Sequence, residues 1–375
     1  MRFPLTLVLG HSILMAVSVF PQSASPIISP DIHADRSVTF RLFAPAAKQV
    51  QLRCEGVGSK VLDKDTNGIW SITVPPLEPD IYAYSFNADG LRLTDPNNVL
   101  FEYNLQFSES LLHVRGTNTL PWEFAKVPHG ELHRHFYHST IANDDRDFLV
   151  YTPPNYNPSA WKKYPVLYLL HGYTEDTSAW TTAGRANLIF DNLIASNHAK
   201  PMVVVMPLGY GDMSVVRPGE RGLSARGLRQ MSMQKFGDTL LQEVLPQVEK
   251  AYRVSSDRQQ RAIAGLSMGA SEALLTGLNH SDKFAWIGAF SAGGLGTNYT
   301  EQFPKADSGL NTRLRLLWIS CGRGDSLFGG NLALVDWLKS KDVATKWVET
   351  PGEHSYRVWR RNLAEFAPLL FQEKK

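Results

Sequence analysis

Two rhythms of apolar residues divide the chain. Between about residues 25 and 121 the pattern steps in twos. Val38-Thr39-Phe40-Arg41-Leu42-Phe43 and Val50-Gln51-Leu52-Arg53-Cys54 alternate, as do Ile69-Trp70-Ser71-Ile72-Thr73-Val74 and Ile81-Tyr82-Ala83-Tyr84-Ser85-Phe86. Ala44-Pro45 and Asn67-Gly68 punctuate them. Short alternating runs between turn residues predict strands buried on one face, and hence a small β-sandwich over 25–121. Trp70 falls inside one such strand, which makes it a core tryptophan rather than a sugar-stacking platform.

Beyond about residue 135 the apolar runs lengthen and helical spacing appears. Phe148-Leu149-Val150-Tyr151, Val166-Leu167-Tyr168-Leu169-Leu170 and residues 202–206 read as buried strands, as do 262–264, 284–290, 314–320 and 345–349. Helices are expected over 186–196, 236–252, 270–278, 331–339 and 356–371, where apolar residues recur at three- and four-residue steps. Strands alternating with helices predict an α/β unit over 130–375, with a mostly parallel sheet covered on both faces. A Gly/Pro-rich stretch at 116–130 separates the two units, and the Gly/Arg-rich segment 211–229 is expected to be a long surface loop.

Composition adds little beyond that. The chain has 375 residues, too many for one ordinary core; its net charge is only +2 with no dense Lys/Arg run, so no nucleic-acid partner is expected. Residues 1–24 stand apart: Arg2, an apolar run to Phe20, then Ser23-Ala24-Ser25 read as a secretory signal peptide, so export to the periplasm or medium is expected. Gly10, His11 and Ser12 interrupt the run, so no membrane association is expected after cleavage. Cys54 and Cys321 are expected to be buried free thiols, and neither a metal nor an organic cofactor is called for.

The chemistry gathers around Gly265-Leu266-Ser267-Met268-Gly269, which lies between a buried strand and a helical run. A strand-to-helix turn this tight needs small neighbours and lifts the serine hydroxyl clear of the sheet. It leaves the Met268 N–H at a helix start, where the dipole favours a developing oxyanion. Serine needs a base, and past Ser267 only His280 and His354 are available. His280 is carried away by the helix. His354 sits in Thr350-Pro351-Gly352-Glu353-His354, between the last strand and the last helix, and is the expected base. Asp325 closes the loop Cys321-Gly322-Arg323-Gly324-Asp325 at a strand end and is the expected orienting acid. Asp336 reads as a helix-surface charge, and Glu353 adjoins the base too closely to turn onto its ring. The second oxyanion donor is expected at the Tyr173 N–H, after Val166–Leu170 and His171-Gly172, with His171 a structural hydrogen-bonder. Trp180, Tyr210 and Trp359 are candidates to line a substrate pocket.

With those residues placed, the stretch 136–371 resembles the esterase-D-type α/β-hydrolases, and among them the feruloyl and acetyl-xylan esterases of carbohydrate esterase family 1. Val150-Tyr151-Thr152-Pro153-Pro154, Asp191-Asn192-Leu193-Ile194, Met206-Pro207-Leu208-Gly209-Tyr210-Gly211 and the segments around Ser267, Asp325 and His354 carry the resemblance. It implies a Ser267–His354–Asp325 triad, acyl transfer to water, and a small acyl ester or an esterified polysaccharide as substrate. A siderophore esterase or an acyltransferase on the same fold is the alternative, with a non-catalytic glycan binder more distant. Residues 38–45, 68–73 and Asp95-Pro96 are similar to the early-set immunoglobulin-like domains that precede glycogen branching enzymes.

Overall fold

The computed structural model describes residues 26–217 and 223–373, with the backbone alone at 223–226. The expected signal segment lies outside the described residues.

The alternating runs form two antiparallel sheets. Val38–Phe43 pairs with Ile69–Val74 in a four-stranded sheet, and Asp80–Ala88 lies between Val50–Cys54 and Glu109–Val114 in a six-stranded one. Their facing side chains, including Val38, Phe40, Leu52, Trp70, Tyr84, Phe86 and Leu112, make one core. Trp70 is 6% exposed and its indole N–H donates to the Ala44 carbonyl at 2.9 Å, so it is a core residue, as its strand position predicted.

The C-terminal unit is an eight-stranded sheet: β1 (Glu131–Ser139), β2 (Asp144–Thr152), β3 (Val166–Leu170), β4 (Val203–Pro207), β5 (Arg261–Leu266), β6 (Trp286–Phe290), β7 (Leu316–Gly322) and β8 (Lys346–Thr350). The order is β1-β2-β4-β3-β5-β6-β7-β8, antiparallel for the first two pairings and parallel from β4 onward. Helices α1 (Ala186–Ala195), α2 (Leu223–Thr239), α3 (Ser267–Asn279), α4 (Phe328–Ser340) and α5 (Tyr356–Phe366) are the longer covering elements. Two apolar clusters lie on opposite faces of the sheet. One gathers Val166, Tyr168 and Ile263 with Phe236 and Leu274, the other Leu167, Leu169 and Ala264 with Phe190 and Phe366. This is the doubly covered α/β architecture that the patterning predicted, and it brings the ends of β3, β5, β7 and β8 to one side.

One segment differs from expectation. A loop over 211–229 is cut short, because a single 3₁₀ turn at Met213–Val216 is followed by α2 from residue 223. Its fully buried apolar positions begin only at Met233 and Phe236; before them Leu228 is half-buried and Met231 exposed. Among the described residues no helix is long and apolar enough to cross a membrane.

Candidate active site

Ser267 stands at the junction of β5 and α3 with φ 51°, a left-handed conformation that a non-glycine residue adopts under strain. Its small neighbours are geometric necessities. A Cβ on Gly265 would meet the Gly269 carbonyl oxygen at 2.4 Å, and one on Gly269 would meet the His171 carbonyl oxygen at 2.4 Å. Close backbone approach therefore presses the elbow against the end of β3, where the expected oxyanion loop begins.

The structure brings the three expected side chains together. His354 Nε2 lies 3.0 Å from Ser267 Oγ, and its Nδ1 lies 2.7 Å from Asp325 Oδ2. Asp325 is enclosed, and its Oδ1 accepts the Leu327 N–H at 2.8 Å. Burial pulls its pKa upward, but the hydrogen bonds from His354 and Leu327 outweigh that and hold it below the ordinary aspartate value. An ionised Asp325 requires a proton on Nδ1, which leaves Nε2 free to accept from serine. Trp359 packs edge-on against the imidazole at 4.8 Å between ring centres and donates to Ser291 Oγ at 3.2 Å. The loop after β6 is latched to the elbow: Gly293 N–H donates to the Ser267 carbonyl, and Ser271 Oγ donates back to Gly293.

Met268 is the second residue of α3, and its N–H is one of those a helix start leaves unpaired. Among the described residues the Tyr173 N–H likewise enters no hydrogen bond. Tyr173 and Ser267 line one cavity of about 700 Å³. His171 is buried with both ring nitrogens engaged: Nε2 accepts the Gly209 N–H at 2.9 Å, which makes Nδ1 the donor to the Gly172 carbonyl at 2.8 Å. Burial depresses its pKa, so it is a neutral structural residue.

Two pocket candidates are corrected. Trp180 is 1% exposed with its indole N–H on the Leu170 carbonyl, and Tyr210 is wholly buried with its hydroxyl on the carbonyls of Gly172 and Glu175. Those internal carbonyls draw both rings into the core, and neither lines the cavity. Trp359 does line it. His280 ends α3, and Asp336 is exposed and paired with Lys339, so neither joins the centre. Cys54 and Cys321 are both buried and unpaired, and burial raises each thiol to about 12, far from a nucleophilic thiolate. No cluster of metal-binding side chains occurs among the described residues.

The cavity contains residues that sequence spacing did not reveal. One wall comes from the sandwich, with Arg53, Glu55, Glu102 and Glu109 facing Ser267, His354 and Trp359. Nothing in the sequence joins residues 53–109 to a serine so far along the chain. Glu175, two residues past Tyr173, accepts the Gly172 N–H at 2.7 Å and the Tyr356 hydroxyl at 2.9 Å on one oxygen. It thus ties the loop after β3 to the start of α5. Burial pushes Glu175 up to about 7, and burial together with the nearby Glu175 charge raises Glu102 well above the ordinary carboxylate range. A polar residue in a strand-end loop was the only signal available for Glu175.

Comparison with known proteins agrees with this geometry. Residues 139–370 match the model of the Esterase family, and residues 28–101 match carbohydrate-binding module 48, the isoamylase N-terminal domain. The chain is 30% identical over 353 residues to an endo-1,4-beta-xylanase/feruloyl esterase of Xylanibacter ruminicola, covering 92% of this chain and 46% of that protein. It thus spans about half the length of that curated relative. A solved ferulic acid esterase superposes with a TM-score of 0.54 at 27% identity, over 64% of this chain and 97% of its own. The enterochelin esterase of Shigella flexneri shares the fold across both units, with a TM-score of 0.70 at 18% identity over 90% of this chain and 92% of its own.

Proposed function

Because this chain belongs to the Esterase family, we propose that it is an exported serine carboxylesterase acting on feruloyl or acetyl esters of plant cell-wall polysaccharide. The observation that carries the reading is the hydrogen-bonded series Ser267–His354–Asp325 on a strained elbow that opens into a cavity. In the proposed reaction Ser267 Oγ bonds to the ester carbonyl carbon as its proton passes to His354 Nε2. The carbonyl oxygen takes the negative charge and is held by the Met268 and Tyr173 N–H groups. Collapse breaks the bond to the alkoxy oxygen, which leaves with the proton from His354. Water then repeats the sequence on the acyl-enzyme, releasing the acid and restoring Ser267. The chemistry calls on no metal or organic cofactor.

The substrate class rests on the sequence resemblance and on the name of the Xylanibacter relative. Export rests on the character of residues 1–24 alone; mass analysis of exported protein should find a chain that begins near Ala24 or Ser25. Wild type and Ser267→Ala should be compared on methyl ferulate, acetylated xylan, short p-nitrophenyl esters and a cyclic siderophore ester. Ser267→Ala is expected to lower kcat by about 10³-fold or more. Full hydrolysis by that variant would overturn the mechanism, and a preference for the siderophore ester would overturn the substrate assignment.

A further inference from the structure

The hairpin loop between two strands of the six-stranded sheet, Phe101–Glu102 and Glu109–Val114, reaches across to the catalytic unit beside Tyr173. Leu105 N–H donates to the Thr174 carbonyl at 2.7 Å, and Asn104 Nδ2 donates to Thr174 Oγ1 at 2.9 Å. Gln106 Nε2 donates to the Val216 carbonyl at 3.1 Å, next to Val215, whose carbonyl accepts the Tyr173 hydroxyl at 2.6 Å. Thr174 itself has φ 69°, a left-handed conformation that is rare for a β-branched residue and persists only where surroundings impose it. Three of the four bonds named come from the N-terminal module, and two of them end on the strained residue. We propose that the N-terminal module is a positioning element of the oxyanion site: through Asn104 and Leu105 it holds Thr174 in its left-handed conformation and so fixes the direction of the Tyr173 N–H. The inference rests on the serine-esterase reading, and it makes the module necessary for chemistry even on an ester too small to touch it.

The hydrogen-bond roles at Asn104 define a selective test. Its Oδ1 accepts the N–H groups of Gln106 and Phe107 at 3.0 and 3.2 Å, which shapes its own loop, while only Nδ2 crosses to Thr174. Thr174 Oγ1 already donates its proton to the Tyr173 carbonyl at 2.6 Å, so it can only accept from residue 104. Asn104→Asp therefore keeps the local turn and sets oxygen against oxygen across the contact. Thr174→Val removes the acceptor while keeping the shape and the β-branch, and serves should the first variant fold poorly. Both are measured in the full chain with a short p-nitrophenyl ester, alongside Ser267→Ala and thermal melts.

Removing an oxyanion donor outright lowers kcat by about 10²–10³, so a misdirected one should lower it by about tenfold or more, with KM moving less than about threefold. Polysaccharide capture or simple structural support would leave kcat on this substrate within about twofold of wild type, and that result in both variants, with Ser267→Ala inactive, overturns the positioning role alone. An active Ser267→Ala would instead overturn the esterase reading beneath it.

Discussion

Glu175 shows how one side chain can tie a loop to a helix. One of its oxygens accepts hydrogen bonds from the Gly172 N–H and the Tyr356 hydroxyl, so the loop after β3 and the helix that follows His354 meet on a single acceptor. Burial raises its pKa from the ordinary 4.5 to about 7. A carboxyl whose folded pKa lies above its unfolded one stabilises the fold fully below about pH 4.5, and that contribution is lost as pH rises through about 7. Glu175→Gln keeps an acceptor oxygen and cannot ionise. The stability advantage of wild type over this variant should therefore shrink between pH 5 and pH 8, by on the order of 1–3 kcal/mol. Denaturant unfolding at both pH values measures it, and a pH-independent difference would refute the role assigned to burial. No spacing rule pointed to this residue, whereas Ser267, Asp325 and His354 were legible from chain order and strand ends because each occupies a loop that the sheet itself aims.

The legible elements are those whose burial is one-sided or complete. Val38–Phe43, Val50–Cys54, Ile69–Val74 and Val166–Leu170 match their expected bounds, since alternation or continuous apolarity reports the core directly. β1 escaped notice: it is an edge strand whose residues, apart from Ser139, are only partly buried or exposed, so its sequence carries no apolar face. The opening turns of α2 were missed for a related reason: before Met233 their apolar residues Leu228 and Met231 are only half-buried or exposed. Trp180 and Tyr210 failed differently, since aromatic character near a strand end does not say whether a ring's polar atom finds its partner inside the core. At the elbow, sequence and structure meet in Gly269, which packs on the backbone at the end of β3. Gly269→Ala would force a Cβ to 2.4 Å from the His171 carbonyl oxygen. It should lower the melting temperature by about 5 °C or more, following the 1–3 kcal/mol typical of overpacking, and lower kcat by about tenfold because the displaced backbone leads into Tyr173. A variant that melts and turns over like wild type would show that the elbow and the strand end move independently.

Across the molecule, the sandwich and the catalytic unit are joined by charge as well as by the loop at Asn104. Asp80, at the start of a sandwich strand, has a fully buried side chain facing Arg357, Arg360 and Arg361 of α5, the helix that follows His354. Arg360 is 1% exposed and also donates to the carbonyls of Ile81 and Ala183, so its guanidinium bridges both units. Burial lowers the Arg360 pKa and Asp80 opposes that shift. Such a carboxylate is needed less for its attraction than because, without it, buried positive charge is left uncompensated. Asp80→Asn preserves the volume and the acceptor for the Ile81 N–H at 2.8 Å while removing the charge. The expected cost is about 3–5 kcal/mol, the range for breaking one side of a buried pair. The loss should fall on the junction, where Ile81 and Leu111 of the sandwich share an apolar cluster with Val358, Trp359 and Leu363 of α5 beside these arginines. Denaturant unfolding of the variant should therefore divide into two transitions, with hydrolysis lost in the first as α5 and the Thr174 contact part from the sandwich together. A single transition displaced by less than about 1 kcal/mol would refute this role and show that the junction does not depend on the Asp80 charge.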